Sequence, residues 1–370
     1  MPSIDIIQFT PIIGGETTLV QAMQKIFIEM GFKTRVVHPS KSGKKLKNWV
    51  EFGDQDYVKI SEFEDYIKDT DYLFFINSIH LKKHKKNKDR SETFNVIRPI
   101  YSFKGKNVIF YEHGNHSKDL YDYPTIFELL KENDNRVVVF TNTNEVIPFY
   151  KRLGYDAHLI RQPFDPDNYP TLKIKSNDVV NIGFNSRYTA NKRPDVILKH
   201  FDKYLGVDSP FRLNFRGSVR DNCSVWFDLW KYFEDEKIIM HDYAEKPYQI
   251  YEGQDYCIYA GYRTSSERGK MEYSMLEAFY YGIPLIVDKV VIEEFKYDEY
   301  GISEKDFLES IIPLTEENLQ SIIDGTFDPS KHIIKAKSIV NDFLPEMTKQ
   351  RLTKGLEIFD KAPIERATLF

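Results

Sequence analysis

Short apolar runs alternate with amphipathic segments through nearly all of the 370 residues. Ile4–Phe9 predicts a strand, Thr17–Met30 a helix with apolar residues at helical spacing, and Arg35–Val37 a second strand. Tyr72–Asn77, Asn107–Tyr111 and Arg136–Thr141 predict further strands, each followed by polar residues and a helix-like segment. This repetition predicts an α/β fold with a doubly wound parallel sheet, whose ligands gather at the C-terminal strand ends. The pattern lapses at Arg161–Pro170, where three prolines can continue neither a helix nor a central strand. It then restarts. Val179–Phe184, Arg212–Arg216, Asp255–Ala260 and Ile283–Val287 predict strands, and Pro194–Tyr204 and Asp342–Asp360 predict helices. Two Rossmann-like domains facing a central cleft are therefore expected. Residues 1–165 form the first and 171–345 the second, with 346–370 as a helical tail that packs back on the first.

Composition narrows the class. Hydrophobic residues make up 41% and charged residues 29%, as in a folded globular chain, and no apolar run approaches the ~20 residues of a membrane span. The first residues carry neither a basic nor a long apolar region, so secretion is not expected. Cys223 and Cys257 are the only cysteines, which fits a reducing cytoplasm and excludes a disulfide scaffold or zinc cluster. The expected location is cytoplasmic, the host's cytoplasm if a phage encodes the chain. The expected chain is a monomer with no membrane partner.

The net charge of −5 conceals an uneven distribution. Residues 1–170 carry 24 Lys and Arg against 23 Asp and Glu; subtraction from the totals leaves 27 against 33 for the remainder. Within His80–Arg90, Lys82, Lys83, Lys85, Lys86, Lys88 and Arg90 face a single acid, Asp89. This run follows the Tyr72–Asn77 strand, which puts it on the rim of the expected cleft. Such a cluster suits a phosphate backbone, although solvation alone also accounts for charge runs. Asp54-Gln55-Asp56 reads as solvated surface rather than a metal site.

The candidate chemistry lies at strand ends. Met271–Val287 places Glu272 and Glu277 at the start of a helix-like run that Gly282 closes before a strand. A helix N-terminus offers N–H groups to a diphosphate, and a carboxylate one turn further in can accept from ribose hydroxyls. Arg187 and Lys192, in the loop after Val179–Phe184, can converge on one diphosphate and neutralise a departing nucleotide. Gly14 and Gly15 follow the first strand and let a ligand approach the backbone. His113 and His116 follow Asn107–Tyr111, where a His can donate to a sugar hydroxyl; no Cys or His cluster supports a metal there.

In this order these elements resemble the GT-B glycosyltransferases and, among them, the large retaining family 4. That family has two Glu separated by seven residues, but here the position eight before Glu277 is Gly269. The DNA α-glucosyltransferases of T-even bacteriophages are more similar. They share the Glu-Tyr-x-x-Leu-Glu form of Glu272–Glu277 and the Arg187 to Lys192 spacing. They also share a Tyr-x-His block like Tyr111–Ser117 and an Ile-Asn-Ser strand end like Ile76-Asn77-Ser78. Their acid after the first His is Gly114 or Asn115 here, so its role does not carry over.

The resemblance implies a retaining transfer of a sugar from a UDP-sugar to a 5-hydroxymethylpyrimidine, 5-hydroxymethylcytosine by default, in double-stranded phage DNA. Glucose is the default sugar and arabinose the variant. Arg187 and Lys192 would hold the diphosphate and Glu277 the ribose. Glu272 and the backbone of Ser274 and Met275 would contact donor sugar or phosphate, and His113 the sugar near the reacting carbon. His116 and the lysines 82, 83, 85, 86 and 88 would meet the acceptor. No metal or other cofactor is implied. A family-4-like enzyme acting on a glycan or lipid-linked acceptor and a nucleotide-sugar epimerase are the alternatives.

Overall fold

The computed structural model describes residues 1–8, 15–40, 42–45, 53–76, 105–112, 130–172, 178–186, 190–205, 210–216, 232, 234–241, 244, 247–263 and 269–360. The chain divides into two compact units, Met1–Pro163 with Pro345–Phe370, and Phe164–Leu344.

The first unit is built on a seven-stranded parallel sheet. Its strands are β1 (Ser3–Ile7), β2 (Lys33–Ser40), β3 (Gln55–Lys59), β4 (Tyr72–Ile76), β5 (Asn107–Glu112), β6 (Arg136–Thr141) and β7 (Asp156–Leu159), in the order β3-β2-β1-β4-β5-β6-β7. The central strands are apolar on both faces because both faces are covered. Ile6, Phe74, Ile109 and Val138 enter one core, while their neighbours Ile7, Phe75, Val108 and Val139 enter the other. The first core receives α1 (Gly15–Glu29) through Leu19, Met23, Ile26 and Phe27. The second is covered in part by α2 (Ile147–Arg152).

A buried ion pair ties two strands of this sheet. Asp5 is buried on β1, and Arg35 of β2 donates to both of its oxygens at 2.7 and 2.8 Å while Thr70 adds a 2.5 Å hydroxyl bond. A buried carboxylate is tolerable only with such complete pairing.

The second unit holds a six-stranded parallel sheet of β8 (Val180–Asn185), β9 (Phe211–Arg216), β10 (Ile238–His241), β11 (Tyr256–Tyr259), β12 (Leu285–Val287) and β13 (Ile312–Pro313). Its order is β10-β9-β8-β11-β12-β13. Helices α3 (Pro194–Phe201), α4 (Tyr273–Tyr281), α5 (Lys289–Glu293), α6 (Glu304–Ser310) and α7 (Ser330–Val340) accompany it. Here too alternate residues feed opposite cores: Cys257, Tyr259 and Val287 one, Ile258 and Ile286 the other.

The last described helix, α8 (Pro345–Leu356), belongs to the first unit. Leu352 and Phe359 complete the core that α1 covers, and the Arg136 guanidinium donates to the carbonyls of Ile358 and Phe359. Gly355 is needed there, since a Cβ would lie 2.4 Å from the Phe140 ring. The expected helix over 342–360 is thus split, with a 3-10 turn at Asn341–Phe343, the α-helix proper, and another 3-10 turn at Glu357–Phe359. Asp54-Gln55-Asp56 is not plain solvated surface: Gln55 opens β3, and Asp56 accepts from the Tyr66 hydroxyl.

Candidate functional site

Strand order points to a candidate site in the second unit. β8 pairs with both β9 and β11, so the connections after β8 and after β11 leave the sheet on opposite sides. Beyond the strand ends at such a reversal of winding is the usual ligand position in this kind of sheet. The loop after β8 carries Lys192, and the segment after β11 leads to Glu272 and α4.

Glu272 occupies the N-cap position of α4 in extended conformation, φ −103° and ψ 160°, and makes no side-chain capping bond. Its carbonyl accepts the first helical bonds, from Met275 N at 3.0 Å and Leu276 N at 3.2 Å. Ahead of those bonds stand the N–H groups of Tyr273 and Ser274, where the helix dipole is positive. Gly282 ends the helix in the left-handed conformation, φ 67°, which glycine adopts without steric cost.

The freed Glu272 carboxylate turns to Lys192. The ammonium lies 2.6 and 2.7 Å from its two oxygens and 3.6 Å above the centre of the Tyr262 ring. The two side chains are 7% and 17% exposed, so the pair is largely removed from water. The carboxylate compensates for the lost hydration of the ammonium, and the aromatic face adds a second attraction. Beside it, burial and then the Glu272 charge hold the Tyr259 hydroxyl well above its ordinary pKa.

Glu277 lies deeper. Burial raises its pKa, and two tyrosine hydroxyls pull it back: Tyr169 donates to Oε1 and Tyr251 to Oε2, both at 2.6 Å. Tyr251 also reaches the Ser274 carbonyl at 3.2 Å. Tyr169, Tyr251 and Tyr262 were not among the sequence candidates. Tyr169 lies in the proline-rich segment, where it stacks on Phe164 with ring centres 4.6 Å apart. Asn185 Oδ1, at the end of β8, and Ser274 Oγ, in the first turn of α4, are both buried and have no hydrogen-bond partner among the described residues. Such orphans are uncommon in native folds; a ligand hydroxyl could donate to Asn185 Oδ1, and a phosphate oxygen could accept from Ser274 Oγ.

Gly269 has a steric reason. A Cβ there would stand 1.6 Å from the Glu294 carbonyl oxygen, so no Glu fits at this position on this backbone. The departure from the family 4 spacing is built into the packing of this loop against the end of α5.

Of the sequence candidates, the structure brings together Lys192, Glu272, Ser274, Met275 and Glu277, all on one unit. Gly15 opens α1. Gly14, His113, His116, Arg187 and the lysines 82, 83, 85, 86 and 88 lie outside the described residues. Next to Gly15, burial pushes the Glu16 carboxyl up to about 7 against a hydrogen bond from Gln8. Glu112, directly before His113, is buried and accepts from the Tyr150 hydroxyl. Among the described residues no group of three His, Cys, Asp or Glu is arranged to hold a metal ion, and no helix is long and apolar enough to cross a membrane.

Compared by sequence, the chain matches no protein-family model and no curated protein. Compared by structure, it is similar to an alpha-glucosyltransferase solved with UDP-glucose and DNA containing an abasic site. The TM-score is 0.69 at 15% identity, covering 97% of this chain and 99% of that one. It is also similar to sucrose-phosphate synthase from Thermosynechococcus elongatus, with a TM-score of 0.64 at 11% identity over 97% and 99% of the two chains. A lipopolysaccharide outer core galactosyltransferase gives 0.56 at 13%, over 98% and 100%. The fold, two parallel-sheet α/β units in the GT-B arrangement of elements, is the one these glycosyltransferases share.

Proposed function

We propose that the chain is a retaining glycosyltransferase that moves a sugar, glucose by default, from a UDP-sugar to a 5-hydroxymethylpyrimidine in DNA. The observation that carries the donor half is the Lys192–Glu272 pair at the mouth of α4, at the point where the second sheet reverses its winding. A diphosphate there would meet a cation, a helix N-terminus and two backbone N–H groups. Lys192 has three donor hydrogens, so it can turn one to phosphate while Glu272 keeps the others. Arg187, five residues earlier in the sequence, is the proposed second cation.

Glu277 suits the ribose. An ionised carboxylate offers roughly four acceptor positions, and the two tyrosines occupy one on each oxygen. Two hydroxyls of a ribose can take the rest.

In the proposed reaction the bond between the anomeric carbon and the UDP oxygen breaks. The hydroxymethyl oxygen bonds to the same face of that carbon, and its proton passes to a phosphate oxygen of the departing UDP. The work of Lys192 and the α4 N-terminus is to stabilise the charge growing on that phosphate. His113 is proposed to touch the sugar near the reacting carbon.

The acceptor half rests on the first unit. An alpha-glucosyltransferase of similar fold was solved with UDP and a 13-mer DNA containing a HMU base, at 14% identity and a TM-score of 0.67. The lysines 82, 83, 85, 86 and 88 and His116 are the proposed contacts to DNA. A base inside a duplex has to be flipped out for such chemistry. The similarity to a lipopolysaccharide galactosyltransferase favours a glycan acceptor as the second reading. Incubation with labelled UDP-glucose, offering hydroxymethylated DNA and a lipid-linked glycan in parallel, tests both: label in the DNA supports the first, label in the glycan the second.

A further inference from the structure

The residue after Lys192 is in an unusual conformation. Arg193 has φ 55° and ψ 44°, the left-handed region, and among the described residues Asp134 is the only other non-glycine with positive φ. Asp and Asn tolerate that region through their short polar side chains, whereas for Arg the Cβ crowds the following carbonyl oxygen. Pro194 follows and opens α3, so the right-handed helical region is disfavoured for Arg193 as well. The default would be extended backbone. A strained turn persists only where its surroundings over-determine it.

The surroundings are two neighbouring strand ends. Arg193 Nη1 donates to the Ala260 carbonyl at 2.6 Å, just past β11, and to Asp288 Oδ1 at 3.1 Å, just past β12. The Arg193 and Asp288 side chains are 12% and 8% exposed. Asp288 is itself fixed, since it caps α5 through Val290 N at 3.1 Å and its own N–H donates to the Tyr259 carbonyl at 3.0 Å. On the other side of Lys192, the Asn191 carbonyl accepts from Arg263 N at 2.8 Å, and the Arg263 guanidinium pairs with Asp195. The backbone is tied on both sides of the lysine.

We infer that Arg193 is a positioning residue for donor binding: its clamp on Ala260 and Asp288 holds a left-handed turn that aims the Lys192 ammonium at the N-terminus of α4. The inference rests on the donor-site reading and deepens it. Without the clamp the residue before Pro194 relaxes toward extended backbone, and Lys192 loses its fixed approach to Glu272 and to a diphosphate. A purely structural ion pair would instead affect folding stability and leave the lysine's contribution unchanged.

The test is a double-mutant cycle on UDP binding, titrated to millimolar ligand, with thermal melting of each variant. Arg193→Gly removes the clamp and leaves a residue that has no steric conflict with the turn but no preference for it over extended backbone, so the variant loses the aim of Lys192 without added strain. Its UDP affinity is expected to fall ~10-fold, the scale of one charge-assisted hydrogen bond. In a Lys192→Ala background, Arg193→Gly is expected to have no further effect, because it acts through the lysine. Arg193→Lys, which restores charge without the two-point reach, is expected to recover only part of the affinity. Wild-type affinity in Arg193→Gly, or an effect that adds in full to that of Lys192→Ala, overturns the inference alone. Absence of UDP binding by the wild-type chain overturns the donor-site reading and the inference with it.

Discussion

Tyr169 and Glu277, 108 residues apart in the chain, share a 2.6 Å hydrogen bond inside the second unit. The tyrosine comes from a proline-rich segment that reads as a connector, and the glutamate from the first turns of α4. Burial raises the Glu277 pKa and the tyrosine hydroxyls lower it, so the carboxylate's charge depends on them. Tyr169→Phe leaves one buried carboxylate oxygen without its donor and is expected to cost about 1–3 kcal/mol. Chemical denaturation of the two chains measures this directly, and equal midpoints and slopes would contradict it.

If Glu277 reads the ribose, its loss should be felt only by ligands that carry ribose hydroxyls. Glu277→Ala is expected to weaken UDP by about 10-fold or more and to leave a 2′,3′-dideoxy UDP nearly unaffected. Calorimetric titration of the two ligands gives the comparison. An equal loss for both would remove Glu277 from the ribose.

Lys192 and Glu272 should separate binding from turnover. Lys192→Ala removes the cation and is expected to weaken UDP about 10- to 100-fold. Glu272→Gln releases the lysine from its carboxylate, so UDP affinity is expected to hold or rise while sugar transfer falls. Weaker UDP binding in Glu272→Gln would show that the carboxylate supports the diphosphate site rather than competing for its cation.

The first unit should carry a pH signature. Burial lowers the His38 imidazole from 6.5 to about 4, against the pull of its Nδ1–H bond to the Gln8 carbonyl at 2.8 Å. A depressed folded-state pKa contributes stability that is fully present above the unfolded value and lost as pH falls through the folded one. Melting temperature is therefore expected to decline between pH 6.5 and about 4. A His38→Gln variant should decline less over that window, and parallel profiles would rule His38 out as a source of the slope.

Glutamate at positions 82, 83, 85, 86 and 88 should weaken DNA binding and flatten its dependence on salt. Each phosphate that a lysine no longer neutralises takes about 0.9 off the slope of log affinity against log salt. Fluorescence anisotropy at several ionic strengths reads both quantities, and an unchanged slope would take these lysines out of the interface.

The strands that the sequence does not reveal are informative as a set. β3, β7, β10 and β13 lie at the edges of the two sheets, while the other nine were legible as apolar runs. Central strands of a parallel sheet are covered on both faces and need continuous apolar sequence. An edge strand such as Gln55–Lys59, with one buried residue in five, carries no such run. β13 even contains a proline, Pro313, which an edge accommodates. The site divides in the same way. Lys192, Glu272 and Glu277 were visible because charges beside strand ends stand out against apolar neighbours. Tyr169, Tyr251 and Arg193 were not, since a tyrosine in an aromatic-rich chain and an Arg beside a Lys carry no local signal. Only their tertiary hydrogen bonds give them a role.

Whether the site at α4 serves transfer of a sugar from a nucleotide to DNA is decided by mass spectrometry of nucleosides. Hydroxymethylated DNA is incubated with the chain and UDP-glucose, beside unmodified DNA and the Lys192→Ala variant. A glycosylated hydroxymethylpyrimidine is expected with the wild-type chain alone, and none from unmodified DNA. Unchanged nucleosides with UDP-glucose and with a panel of other UDP-sugars, or undiminished transfer by Lys192→Ala, would contradict this reading of the site.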